Sequence, residues 1–171
     1  MMKRLRSGYF VQTDTNSCGP IATFNAEKWL GRDVTVNDND KIKVWKTLGP
    51  RRKLCKTSHN NFPMRGTKPP SMSQALNKLR IKYQETTDLE LMKQSLNNGH
   101  SMILLYSFGK YIPGCRIDAH YVFVYKDRSN IYLINDDKQH FKTWKTFSSY
   151  CLENNPTDHQ ENKFPRAWII D

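Results

Sequence analysis

The sequence predicts an α+β fold in which helices come first and an antiparallel sheet follows. In the N-terminal half, apolar residues recur at helical spacing, and in the C-terminal half they form β-branched and aromatic runs bounded by turn residues. Helices and strands segregated in this way are typical of α+β folds. A chain of 171 residues is long enough for one core, so we expect a single domain over 1–171.

The first predicted helix runs from about residue 18 to residue 30. Ile21, Phe24 and Trp29 recur at helical spacing, Pro20 suits a first turn, and Gly31 fits just past the end. Three further helical patterns cover 40–48, 71–80 and 88–97. The segment 49–71 is rich in Pro, Gly, Asn and basic residues without a clear period, and it is interpreted as a long basic loop.

Strands are predicted at 101–107, 120–125, 131–134 and 167–170. The second and third of these should form a hairpin through residues 127–130. Together with the helical patterns, they predict N-terminal helices packed on a C-terminal antiparallel sheet.

The chain is strongly basic, with 27 Lys and Arg against 16 Asp and Glu and a net charge of +11. Such a charge attracts acidic polymers and nucleic acid, but the basic residues are spread along the chain and form no single binding arm. Charge alone therefore names no partner.

The N-terminus is positively charged, but no apolar run of signal-peptide length follows it. No segment approaches the roughly 18 apolar residues of a membrane span. We therefore expect a soluble, cytoplasmic protein, which could be virus-encoded.

The four cysteines, Cys18, Cys55, Cys115 and Cys151, have spacings that match no disulfide framework and no zinc knuckle, so free thiols are expected. Cys55 with His59, and Cys115 with His120, could each be half of a zinc site, but no second pair completes either one. We expect no metal and no cofactor.

One constellation indicates nucleophilic catalysis. Cys18 stands at a predicted helix start, where unpaired amides and the helix dipole stabilise a thiolate. Gln12, six residues earlier, could donate to an oxyanion together with the Cys18 amide, and His120 begins a strand of the sheet. Asn135 or Asp136, which ends the next strand, could orient the imidazole.

The register of the predicted hairpin decides which of these residues His120 faces. His120 would face Asp136 only if the numbers of opposed residues sum to 256, which requires a turn with an odd number of residues. No turn motif in the sequence fixes that register.

These motifs, Gln12 to Pro20, Ala119 to Val124 and Leu133 to Asp136, resemble those of papain-like cysteine peptidases. The most similar group is the leader peptidases that cut bacteriocin precursors after a double glycine, with their stand-alone relatives. The resemblance covers roughly residues 9 to 170 and implies a papain-like fold. It also implies that Gln12 is the oxyanion-hole residue, Cys18 the nucleophile, His120 the base and Asp136 its orienting partner. Asp137 stands where the family often has proline, and the basic 49–71 loop is an insertion.

The predicted function is hydrolysis of a peptide, isopeptide or related amide bond through a thioester. Two alternatives are kept open. One is a catalytically silent papain-like protein that binds an acidic partner or nucleic acid through its basic surface. The other is an amidase that cuts cell-wall peptides with the same Cys-His chemistry.

Overall fold

The fold is described from a computed structural model. The structure describes residues 9–11, 18–34, 55–56, 63–64, 67, 69–108, 118–136, 140–151 and 165–171. Within these residues the helices are α1 (Cys18–Trp29), α2 (Pro69–Lys78), α3 (Leu89–Asn97) and α4 (Trp144–Cys151). The strands are β1 (Cys55–Lys56), β2 (Pro63–Met64), β3 (Tyr83–Thr86), β4 (Ser101–Phe108), β5 (Asp118–Asp127), β6 (Asn130–Ile134), β7 (His140–Phe141) and β8 (Arg166–Ile170).

Six of the described strands form one antiparallel sheet in the order β3-β8-β4-β5-β6-β7. The long central strands β4 and β5 are hydrogen-bonded from Met102 opposite Val124 to Phe108 opposite Asp118. The other two strands, β1 and β2, pair only with each other.

Helices cover the sheet on both faces, and the strand residues alternate between them. Met102, Leu104 and Tyr106 of β4 belong to a core with α3 and α4, whereas Ile103 and Leu105 belong to a core with α1 and α2. Because both faces of β4 are buried, its residues in the sequence form a nearly continuous apolar run. The expected α+β architecture, with helices packed on an antiparallel sheet, is confirmed.

The predicted elements lie close to those observed. The helix expected over 88–97 begins at Leu89 because Asp88 is its N-cap and accepts hydrogen bonds from the Glu90 and Leu91 amides at 2.8 and 3.3 Å. The helix expected over 71–80 begins earlier, at Pro69. The predicted 40–48 helix lies outside the described residues.

Five of the described elements were missed. The segment interpreted as one loop contains β1 and β2 and the first turn of α2. The edge strand β3 was missed because it is mostly polar, with Gln84 and Glu85 exposed, so it lacks an apolar run. The elements β7 and α4 are only two and eight residues long.

Candidate active site

The predicted nucleophile, Cys18, is the first residue of α1. Cys18 is 8% exposed, is a free thiol, and belongs to the core between α1, α2 and the sheet. The helix packs on β4 and β5, and Cys18 at its N-terminus acts on His120 near the start of β5. A buried thiol at a helix N-terminus is near the positive end of the helix dipole.

Gly19 is a position where only glycine fits. A Cβ atom added there would lie 2.0 Å from the Thr67 Oγ1 and 2.7 Å from the Thr67 Cβ. The glycine after Cys18 therefore has a steric reason, because the side chain of Thr67 packs directly on the helix backbone there.

His120 lies near the start of β5 and is partly buried. It is opposite Tyr106 of β4, and the two rings are in edge-to-face contact with centroids 6.1 Å apart. The imidazole forms a hydrogen bond with the Cys18 side chain. Its Nε2 lies 2.5 Å from the main-chain oxygen of Asn135. Cys18, His120 and Asn135 thus form a continuous chain of hydrogen-bonded groups.

The electrostatic surroundings favour a protonated ring. Burial lowers the pKa of His120, but its hydrogen bonds with Cys18 and the Asn135 carbonyl raise that pKa, as do the charges of Cys18 and Asp136. The net result is a pKa raised above the ordinary value of 6.5. The site therefore stabilises an imidazolium beside the thiol.

The hairpin that leads to Asn135 has a different register from the one that would place His120 opposite Asp136. Its turn contains two residues, Arg128 and Ser129, and opposed residues such as Phe123 and Ile134 sum to 257 instead of 256. Arg128 adopts a φ of 53°, the positive value that two-residue hairpin turns need at their first position. No glycine marks this turn in the sequence, so the sequence alone was compatible with both even and odd turn lengths.

Beyond the last pair of this ladder, Asn135 takes a left-handed backbone conformation with a φ of 78°. Asparagine tolerates this conformation better than most residues. The residue is 6% exposed, and its carbonyl oxygen accepts the hydrogen bond from His120 Nε2 when that nitrogen is protonated. Asn135 therefore contacts the histidine through its backbone, a contact that sequence reasoning about side chains did not anticipate.

Asp136 is bound by two tyrosines that the sequence analysis did not single out. Tyr106 donates a hydrogen bond to Oδ2, and Tyr150 donates one to Oδ1 at 2.8 Å. Burial, followed by the hydrogen bond and charge of Asp136, raises the pKa of Tyr106 well above its ordinary range and that of Tyr150 to about 12. Both phenols therefore remain protonated donors at neutral pH. Tyr106 sits in a run interpreted only as core strand, and no local pattern marked Tyr150.

Gln12 lies outside the described residues, but the segment just before it is anchored to α1. The Phe10 amide donates to Asn25 Oδ1 at 2.7 Å, and Asn25 Nδ2 donates to the Phe10 carbonyl at 2.9 Å. Asn25 is fully buried. A side chain that pairs with both polar groups of one residue fixes the backbone there.

Of the other cysteines, Cys151 of α4 is a free thiol that is 1% exposed. Burial, followed by the charge of Asp136, raises its pKa far above the ordinary value, so it is a poor nucleophile. Cys115, His59 and the side chain of Cys55 lie outside the described residues. Within the described part of the chain, no three His, Cys, Asp or Glu side chains form a group that could hold a metal ion.

Among solved structures, the chain is similar to the peptidase domain of Streptococcus ComA, a bi-functional ABC transporter involved in a quorum sensing pathway. The TM-score is 0.53 and the sequence identity 15%, over 95% of this chain and 98% of that chain. At this identity the likeness establishes a shared papain-like peptidase fold. No protein-family model and no curated protein matches the sequence. None of the described helices is long and apolar enough to cross a membrane.

Proposed function

We propose that the protein is a cysteine peptidase or amidase that cleaves an amide bond through a thioester on Cys18. The observation that carries the proposal is the hydrogen-bonded series from the Cys18 side chain through His120 to the Asn135 carbonyl. A nucleophile, a base and a group that orients the base, in hydrogen-bond contact, are the common requirement of thiol hydrolases. A fold shared with a peptidase domain supports the same class.

In the first half-reaction, the Cys18 thiolate attacks the carbonyl carbon of the substrate, and the carbonyl π electrons move to oxygen. The resulting oxyanion collapses, the C–N bond breaks, and the His120 imidazolium gives its proton to the leaving amine. The products of this step are a free amine, an acyl thioester on Cys18 and a neutral imidazole.

In the second half-reaction, neutral His120 takes a proton from water as the water oxygen attacks the thioester carbonyl. Collapse of this second tetrahedral intermediate breaks the C–S bond and releases the acid, and the thiolate and imidazolium are restored. The raised pKa of His120 suits this cycle, since the resting site then holds the proton that the leaving amine needs.

Four groups are proposed to assist without forming a covalent bond to the substrate. Gln12 and the Cys18 amide donate hydrogen bonds to the oxyanion, an interaction that strengthens as negative charge develops. Asp136 supplies negative charge near the imidazolium. Asn135 orients the ring through its main-chain oxygen, and Asp136 acts on it by charge.

The proposed substrate is a peptide, an isopeptide or another amide. The net charge of +11 favours a substrate or partner with acidic groups, which can include an acidic polymer. A panel of peptides, ubiquitin-like isopeptides and peptidoglycan fragments would assign the class, including the cell-wall amidase alternative.

The decisive experiment is labelling with a broad thiol-directed probe, followed by mass spectrometry and by turnover of the substrate panel. Cys18 should react much faster than Cys151, and Cys18→Ala should abolish turnover. Cys151→Ala is the matched control, because it removes a buried thiol and should leave the labelling of Cys18 intact. Equal labelling of both cysteines would overturn the proposal. Retention of a salt-sensitive binding activity by Cys18→Ala, without turnover in the parent, would identify a silent binding protein instead.

A further inference from the structure

Asp136 lies between two phenol groups that come from different elements of the fold. Tyr106 belongs to β4 and is 4% exposed, whereas Tyr150 belongs to α4 and is 36% exposed. Each hydroxyl is bonded to a different oxygen of the same carboxylate. With both oxygens engaged by donors on a strand and on a helix, the position and the rotation of the carboxylate are both restrained.

The same carboxylate is connected to the base through the chain and acts on it by charge. Asp136 follows Asn135, whose main-chain oxygen lies 2.5 Å from His120 Nε2. Tyr106 also contacts the histidine ring from the neighbouring strand. One tyrosine therefore touches both His120 and Asp136, and the second joins this group to α4.

From this arrangement we infer that Tyr106 and Tyr150 are positioning residues that fix Asp136 and, through the chain, the Asn135 carbonyl against His120. The inference rests on the proposed role of His120 as the base. The tyrosines act in this role by holding the charge and the acceptor that keep the imidazolium in place. A charge-assisted hydrogen bond to a carboxylate is suited to this role, since it is shorter and stronger than one between neutral groups.

Tyr150→Phe is the sharpest variant, because it deletes one hydroxyl and keeps the ring. The Tyr150 ring packs on Phe141 and Tyr106 with centroid distances of 5.2 and 6.3 Å, and phenylalanine can keep both contacts. Tyr132→Phe is the matched control. Its hydroxyl accepts a hydrogen bond from Asn130 at 3.0 Å, at the opposite end of β6 from Asn135.

The test is a titration of His120 by NMR in the parent, Tyr150→Phe, Tyr106→Phe and Tyr132→Phe. Cys18 of α1 and Asp136 after β6 act on His120 directly, and Tyr106 of β4 contacts its ring. Tyr121 of β5 is affected by the charge of Cys18, and on α4 Tyr150 donates to Asp136 while Cys151 is affected by the charge of Asp136. The series is therefore repeated in a Cys18→Ala background, which removes the thiol. Loss of either phenol should lower the pKa of His120 by roughly 0.3 to 1, because Asp136 is no longer held where its charge favours the imidazolium.

In turnover assays, Tyr150→Phe should lower kcat roughly 3- to 10-fold with KM unchanged and move the alkaline limb of the pH profile to lower pH. A folded Tyr150→Phe variant whose His120 titrates like the parent would overturn the inference. If the buried Tyr106 variant does not fold, the Tyr150 result alone decides. The titration needs no catalysis, so a shifted His120 in a protein that cleaves no amide would reject the proposed function and keep the positioning role.

Discussion

The Nε2 atom of His120 lies 2.5 Å from the main-chain oxygen of Asn135, a residue with a φ of 78°. The position of that oxygen depends on the left-handed backbone conformation, which turns the chain just after β6. In the proposed site, the backbone conformation of Asn135 therefore helps to orient the base, His120.

This relationship predicts how substitutions at Asn135 differ. Asn135→Gly keeps a residue that adopts positive φ without strain, whereas Asn135→Val adds a β-branched side chain that strongly disfavours it. We expect the valine variant to lose roughly 10-fold or more activity relative to the glycine variant, by the misplacement of the carbonyl oxygen. Steady-state kinetics on one amide substrate measures this difference. Equal activity of the two variants would show that the carbonyl does not orient His120.

The second prediction concerns the pH dependence of His120. Burial lowers its pKa, but the hydrogen bond with Cys18 and the interactions with Asn135 and Asp136 raise it to a net value above 6.5. A raised folded-state pKa means that this group contributes stability that is fully present below about 6.5 and is lost as the pH rises through the folded pKa. We expect Cys18→Ala to lower the pKa of His120, measured by NMR, and to reduce the loss of unfolding free energy over that pH window. An unchanged titration would mean that the thiol does not interact with the ring.

The third prediction tests the contact between Gly19 and Thr67. Gly19→Ala would bring a Cβ within 2.0 Å of Thr67 Oγ1, so the start of α1 or the Thr67 segment must shift. Overpacking of this kind typically costs about 1–3 kcal/mol. Urea unfolding of Gly19→Ala, Thr67→Gly and the double variant would give the coupling energy. The double variant should be more stable than the sum of the single changes predicts, and strict additivity would refute the contact.

The fourth prediction concerns Asn25, which pairs with both backbone groups of Phe10. Asn25→Leu fills the site but leaves the Phe10 amide and carbonyl without these partners, at a cost of roughly 1–3 kcal/mol for each group that stays buried. Asn25→Asp keeps the acceptor and loses the donor, so it should retain the hydrogen bond from the Phe10 amide. In denaturant unfolding, the free energy of unfolding of Asn25→Leu should be lower than that of the parent by at least about 1 kcal/mol. Parent-like stability of Asn25→Leu would mean that the pairing does not hold the segment.

Some of these features could be predicted from the sequence, and the reasons are physical. Helix α1 was predictable because its apolar spacing, Pro20 and Gly31 agree. The central strands were predictable because both of their faces are buried. The hairpin was predictable as an element but not in register, since neither Arg128 nor Ser129 signals a positive φ. The Tyr150 contact with Asp136 depends on the packing of α4, which no local pattern encodes.

The last prediction separates the oxyanion donor from the base. An oxyanion donor acts on the transition state, where negative charge has developed, and it has little effect on the resting thiol. Gln12→Ala should therefore lower kcat by roughly 10²–10³ while the rate of Cys18 alkylation by iodoacetamide stays near that of the parent. His120→Ala should depress both rates, because the thiol then loses its hydrogen-bond partner. Gln12→Glu serves as the matched control. It keeps the size of the side chain but replaces a donor by an acceptor, so it should be at least as inactive as Gln12→Ala.

Normal turnover by Gln12→Ala would place the oxyanion donors elsewhere in the site. A parallel loss of Cys18 alkylation in that variant would mean that Gln12 acts on the thiol itself.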